Sequence, residues 1–119
     1  MKKHEFIATV VRTGIQSKGE FFRVYALINP HTDKPVFVVA VGKKQHRLAT
    51  IRNRIKRRTM AIVREYMTKP LEKYAIVVVP SPHIQNAPYK NLCDEIAAHV
   101  IRIKNAYSAH RRIPTHGVS

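Results

Sequence analysis

Arg52, Asn53, Arg54, Lys56, Arg57 and Arg58 crowd into one short stretch, flanked by Lys43, Lys44, Arg47 and Arg64. No Asp or Glu occurs between Asp33 and Glu65. The chemistry such a stretch offers is recognition of a polyanion. A guanidinium bonds phosphate oxygens in pairs and stacks on bases, whereas an ammonium is a movable point charge. Asn53 adds a donor and an acceptor. A merely solvated helix face mixes signs to limit self-repulsion. This one does not, and it reads as a surface for nucleic acid, with Lys43 and Lys44 adding phosphate contacts.

Groups that could cut a bond or hold a metal are sparse. Asp94 and Glu95 are neighbours on a predicted helix, where adjacent side chains point about 100° apart, and they read as surface charges. The seven histidines, His4, His31, His46, His83, His99, His110 and His116, form no short ligand box and read as solvated or RNA-facing imidazoles. Cys93, the single cysteine, reads as a small buried hydrophobe. No catalytic residue and no protein-held metal is expected.

Composition agrees with the local reading. Lys and Arg number 22 against 7 Asp and Glu, a formal charge of +15 in 119 residues, with a hydrophobic fraction of 45%. The chain is the length of one domain and apolar enough to fold. Its charge asks for nucleic acid, because each cation placed near a phosphate releases condensed counterions. There is no run of about 18 apolar residues to span a membrane. Met1 to Glu5 lacks the pattern of a secretion signal, so a cytoplasmic location and no membrane partner are expected.

The elements that must position these residues follow from periodicity. A helix is predicted from about Lys2 to Arg12, a turn at Ile15 to Glu20, and strands at Phe21 to Ile28, Val36 to Val41 and Ala75 to Val79. The first two strands are most simply joined as an antiparallel hairpin through Asn29 to Asp33. Helices are predicted at about Ala49 to Met67 and Tyr89 to Tyr107, with a loop at Pro80 to Pro88 and residues 108–119 as a mobile tail. In the basic helix, Leu48, Ile51, Ile55, Ile62 and Tyr66 stack toward the core, and the cations project outward. On the first strand, Phe22, Val24, Ala26 and Ile28 share an apolar face. Phe21, Arg23, Tyr25 and Leu27 share the other, whose mix of aromatics and arginine suits single-stranded nucleic acid. The alternative is that Phe21 and Tyr25 only cover a second helix-packing surface. Lys90, Arg102 and Lys104 on the last helix serve solubility.

Arg52-Asn53-Arg54-Ile55-Lys56-Arg57 resembles the signature helix of the bacterial ribonuclease P protein family. The order of Val39-Ala40-Val41-Gly42-Lys43-Lys44 before Ala49-Thr50-Ile51-Arg52 resembles that family too. The likeness runs from Phe6 through Phe22 and Tyr25 to Ala75–Val79 and the helix from Tyr89. The resemblance implies an α/β fold, of two-layer α+β type: a single sheet packed with helices, with a left-handed βαβ crossover around the basic helix, similar to ribosomal-protein domain-2-like folds. It implies that Arg52, Asn53, Arg54, Lys56 and Arg57, which carry the motif, contact RNA, and Arg58 and Arg64 of the same basic stripe, with Lys43 and Lys44, are expected to join them. It further implies a cleft for the single-stranded 5′ leader of precursor tRNA, containing Phe6, Val10, Arg23 and Tyr25. Val10 or Val11 stands in for a second cleft aromatic, and Arg23 stands where an apolar residue is common.

The implied role is that of a protein subunit assisting a catalytic RNA in Mg²⁺-dependent removal of the leader, with Mg²⁺ held mainly by the RNA. The implied partners are that RNA and the leader, with no obligate protein partner. A ribosomal or ribosome-associated rRNA-binding protein is the alternative. A protein-only nuclease would need acidic metal ligands, and a DNA-binding protein would set the basic helix in a major groove.

Overall fold

The computed structural model describes residues 3–28, 36–43 and 47–118, with side chains described from Glu5 to Ser108. In chain order the elements are α1 (Lys3–Thr13), β1 (Ile15–Lys18), β2 (Phe22–Ile28), β3 (Val36–Val39), α2 (Ala49–Met67), β4 (Tyr74–Pro80), a short 3-10 turn (Pro82–Asn86) and α3 (Tyr89–Val118). The expected turn Asn29 to Asp33 lies outside the described residues.

The most continuously apolar run takes the centre of the sheet. Its strand order is β1-β2-β4-β3, with β4 antiparallel to β2 and parallel to β3. Ala75, Ile76, Val77 and Val78 are all buried, as a strand covered on both faces requires. This corrects the expected β2–β3 hairpin: β4 inserts between those two strands, because only a central position hides both of its edges and both of its faces.

The expected turn at Ile15 to Glu20 is corrected as well, since Ile15–Lys18 forms a strand paired with β2, with Ile15 opposite Ala26 and Ser17 opposite Val24. Its polar run gave no strand signal. Ser17 is nonetheless buried, its hydroxyl partnered from α3 as described below. Helix α3 continues beyond Tyr107, the end predicted for it. No glycine or proline interrupts the chain between Tyr89 and Ile113.

One face of the sheet carries the main core. Phe22, Val24 and Ala26 of β2 and Ile76 and Val78 of β4 meet Ile55, Ile62, Val63 and Met67 of α2 and Leu92, Ile96, Val100 and Ile103 of α3. Helix α1 crosses part of the other face, where Val10 packs on Ala75 and Val77, and Phe6, Ile7, Tyr25 and Leu27 adjoin them.

Handedness follows from one hydrogen bond. The Ala40 N–H donates to the Val78 carbonyl at 2.9 Å, so that carbonyl points toward β3, while the Val78 side chain lies in the core shared with α2. For an L-residue viewed from the side its side chain faces, with the strand running upward, the carbonyl points right. Seen from α2, β3 is therefore to the right of β4, and the chain moves leftward as it passes through the helix. The β3–α2–β4 crossover is left-handed, the exception to the usual rule.

Candidate nucleic-acid interface

Helix α2 is anchored by Ile55, Thr59, Ile62, Val63 and Met67, all buried, with Ile51 and Met60 packed beside them. Two residues expected in this stripe are outside it. Leu48 is 61% exposed because it precedes the helix in extended conformation, out of phase with the turns that follow. Tyr66 lies at the rim of the α2–α3 seam, 36% exposed, while Val63 and Met67 fill the core. The Cys93 side chain beside it raises the Tyr66 phenol, and that of Tyr89, above their ordinary value. Cys93 itself is buried.

The cations on α2 spread over three surfaces. Arg52, Asn53 and Lys56 face a cleft of about 610 Å³, whose other walls are Ile7 of α1, the β3 end from Val39 through Lys43, and Val79 of β4. Lys56, Arg57 and Arg64 surround a smaller depression of about 310 Å³, also lined by Met60 and Ala61. Arg58 turns toward the 3-10 turn and α3, beside Gln85 and Leu92. Arg54 is exposed.

The helix begins without a side-chain cap and without an acid in its first turn. Its unsatisfied N–H groups add positive potential where the cleft opens. The Arg52 guanidinium donates to the Arg47 carbonyl at 2.7 Å, which steadies it over the entrance. Among the described residues, Arg54, Arg57, Arg58 and Arg64 form no ion pair with a carboxylate.

The residues expected in the leader cleft separate. Phe6 and Tyr25 are half-buried on the α1 side of the sheet and adjoin one another's cluster, while Arg23 is exposed on the same face. Val10 is a correction: it is 1% exposed, pressed onto Ala75 and Val77, and belongs to the core. The α1 residue that reaches the cleft is Ile7. Its type marked it only as apolar, and its neighbour Phe6 drew the attention. Phe21 is also corrected, for it precedes β2 and packs on the main core, away from the Arg23 face. Of the two residues in the helix-packing alternative, Tyr25 is partly covered by α1, and Arg23 beside it stays exposed. Lys44 lies outside the described residues, and Lys43 lines the cleft.

Two groups read as solvated are structural. The Glu95 carboxylate accepts the backbone N–H groups of Phe21 and Phe22 at 2.8 and 2.7 Å and stands 3.0 Å from His99 Nε2. His99 is fully buried, with Nδ1 2.6 Å from the Ser17 hydroxyl. A carboxylate can only accept, so Nε2–H donates to Glu95, and Nδ1 of the neutral ring accepts from Ser17. Gly19 is required here, because a Cβ on it would fall 2.5 Å from a Glu95 oxygen.

Burial pushes the His99 imidazole below its ordinary value of 6.5, with the Glu95 bond opposing in part. The unfolded chain therefore binds this proton more readily. Stability is full above about pH 6.5 and declines as the pH falls from there toward the lower folded value. A pH series of urea midpoints should slope in that window and flatten in His99→Gln. An equal slope in both proteins would rule His99 out as its source.

Among the described residues, no group of three or more His, Cys, Asp or Glu could hold a metal ion, and no helix is long and apolar enough to cross a membrane. Fold and site together define a small α+β domain whose basic helix borders a cleft lined by Lys43, Arg52, Asn53 and Lys56 with Ile7 and Val79. The ribonuclease P family profile matches residues 1–104, and the chain belongs to that family. It is 27% identical over 96 residues to the ribonuclease P protein component of a Pseudanabaena species, spanning 81% of this chain and 83% of that one. The fold is similar to the RNase P protein from Thermotoga maritima, with TM-score 0.74, 21% identity, and 87% and 96% of the two chains covered. It is also similar to that from Staphylococcus aureus, with TM-score 0.71, 21% identity, and 87% and 93% covered.

Proposed function

We propose that this ribonuclease P protein serves a catalytic RNA as a binding subunit, holding the 5′ leader of precursor tRNA while the RNA hydrolyses the phosphodiester bond. The observation that carries this is the cleft in which Lys43, Arg52, Asn53 and Lys56 meet the apolar Ile7 and Val79. Cations take phosphates and apolar groups take base faces, a combination suited to a single strand and too irregular for a duplex groove. The outer cations Arg54, Arg57 and Arg64 are left to face the RNA subunit. Mg²⁺ in this reading is bound by the RNA, since the protein's acids are scattered or, like Glu95, engaged with backbone. Family membership favours this over an rRNA-binding role, which the same architecture would serve.

The test is cleavage of 5′-labelled precursor tRNA at low Mg²⁺ with a bacterial ribonuclease P RNA, this protein, or both. Cleavage at the mature 5′ end by the pair and by neither alone is expected. Cutting by the protein alone would place catalysis in the polypeptide.

A further inference from the structure

Tyr66 and Tyr89 belong to neither apolar cluster. Tyr89, the first residue of α3, is 53% exposed, and Tyr66 of α2 is 36% exposed. The contact between the two helices is made by their neighbours, Ile62, Val63 and Met67 on α2 and Leu92, Cys93 and Ile96 on α3. Packing therefore asks for neither phenol. Neither ring lies against another aromatic, the paired rings among the described residues being Tyr74 and Tyr107.

A lone exposed tyrosine calls for no account, but these two stand together across the α2–α3 seam. The Cys93 side chain is the main influence raising both phenols, Glu65 adds to it, and Arg58 pulls that of Tyr89 the other way. Such influences act at short range. Arg58 also lines a small recess with Gln85 and Leu92, and Leu92 lies one turn beyond Tyr89 on the same side of α3. Two phenol rings, a guanidinium and a carboxylate thus surround one stretch of the seam.

The chemistry of this cluster suits a nucleobase better than a phosphate. Ring faces not covered by another aromatic stack on a base, and a planar guanidinium does the same. The exposed Glu65 would repel a phosphate placed at the rings, yet it can accept the amino group of a base. Both phenols are neutral at pH 7, so their hydroxyls donate as well as accept. Duplex bases have no face to offer, whereas unpaired bases of a folded RNA do. Arg58 neighbours Arg57 on α2, which makes the cluster continuous with the basic surface left to the RNA subunit.

We propose that Tyr66, Tyr89 and Arg58 form a stacking platform for an unpaired nucleotide of the RNA subunit. The proposal rests on the reading of this chain as a subunit that binds a catalytic RNA. It adds a contact on the α2–α3 side of the domain that depends on aromatic faces and not on charge.

The chain has no tryptophan, so Tyr89→Trp supplies a single indole at the platform. Its affinity for ribonuclease P RNA should stay within about twofold of the unsubstituted protein, and the bound RNA should quench the indole and shield it from acrylamide. Tyr89→Ala should weaken RNA binding about tenfold with the slope of log affinity against log salt unchanged, since no cation is removed. Tyr89→Phe should keep the affinity, and melting curves verify that each variant folds. An indole indifferent to the RNA, or an alanine variant that folds and binds as the unsubstituted protein does, would overturn the platform. Shielding by precursor tRNA alone, or shielding that grows with protein concentration without RNA, would overturn it too, giving the rings to the substrate or to a second copy of the chain. Failure of the unsubstituted protein to bind ribonuclease P RNA would instead bring down the subunit reading itself.

Discussion

Glu95→Ala is expected to cost about 3–5 kcal/mol of folding stability, an unusually large effect for a partly exposed acid. The carboxylate accepts the Phe21 and Phe22 N–H groups and the His99 ring, so alanine leaves several part-buried donors without a partner. Each such donor costs about 1–3 kcal/mol. Glu95→Gln keeps the shape and one acceptor, and about half the loss is expected. Urea unfolding of the three proteins measures this directly. A cost under about 0.5 kcal/mol for the alanine variant, the range of ordinary surface changes, would show that Glu95 is the surface charge its sequence context suggests. The loss should extend to function, because the same bonds fix the hairpin that carries Arg23.

Neutralising Arg54, Arg57, Arg58 and Arg64 together to glutamine is expected to weaken binding to ribonuclease P RNA by about 10²-fold. The slope of log affinity against log salt should become shallower by about 3. All four side chains are exposed, so the fold should hold to within about 0.5 kcal/mol. Relief of self-repulsion would even favour it. The effects on RNA affinity and on stability should therefore separate, the reverse of the Glu95 case. Filter binding across a salt series measures the first and thermal melting the second. An unchanged salt slope would mean that this face of α2 touches no phosphate in the complex, and the outward cations would be solubilising only.

The two variants differ in how far their effects could be read along the chain. The α2 cations are a local matter: their density, the lack of acids among them and the helical spacing of Ile51, Ile55 and Ile62 all lie in one stretch. The resemblance of Arg52 to Arg57 to a family signature added the fold and its left-handed crossover. Where the local reading slipped, position in the assembled fold was responsible. Leu48 precedes the helix, and Tyr66 lies at its rim between the buried Val63 and Met67. Val10, placed in the leader cleft by analogy with an aromatic, is claimed by Ala75 and Val77 of β4.

Sequence alone thus determined where the charge lies and which local elements carry it: charge and periodicity are carried by residues close together in the chain, and they made a basic helix and an apolar strand almost unavoidable. Tertiary structure alone decided how the surface is assembled. It placed β4 between β2 and β3, built β1 from a stretch with no strand pattern, and joined Ile7, Lys43, Arg52 and Val79 in one cleft. It also turned Ser17, Glu95 and His99 into a single network, with His99 and Ser17 buried and Glu95 partly so, across a sequence separation of 82 residues between Ser17 and His99. The physical reason is that burial and hydrogen-bond partnership depend on which segments meet, and a polar residue looks the same in sequence whether water or a distant backbone amide will satisfy it.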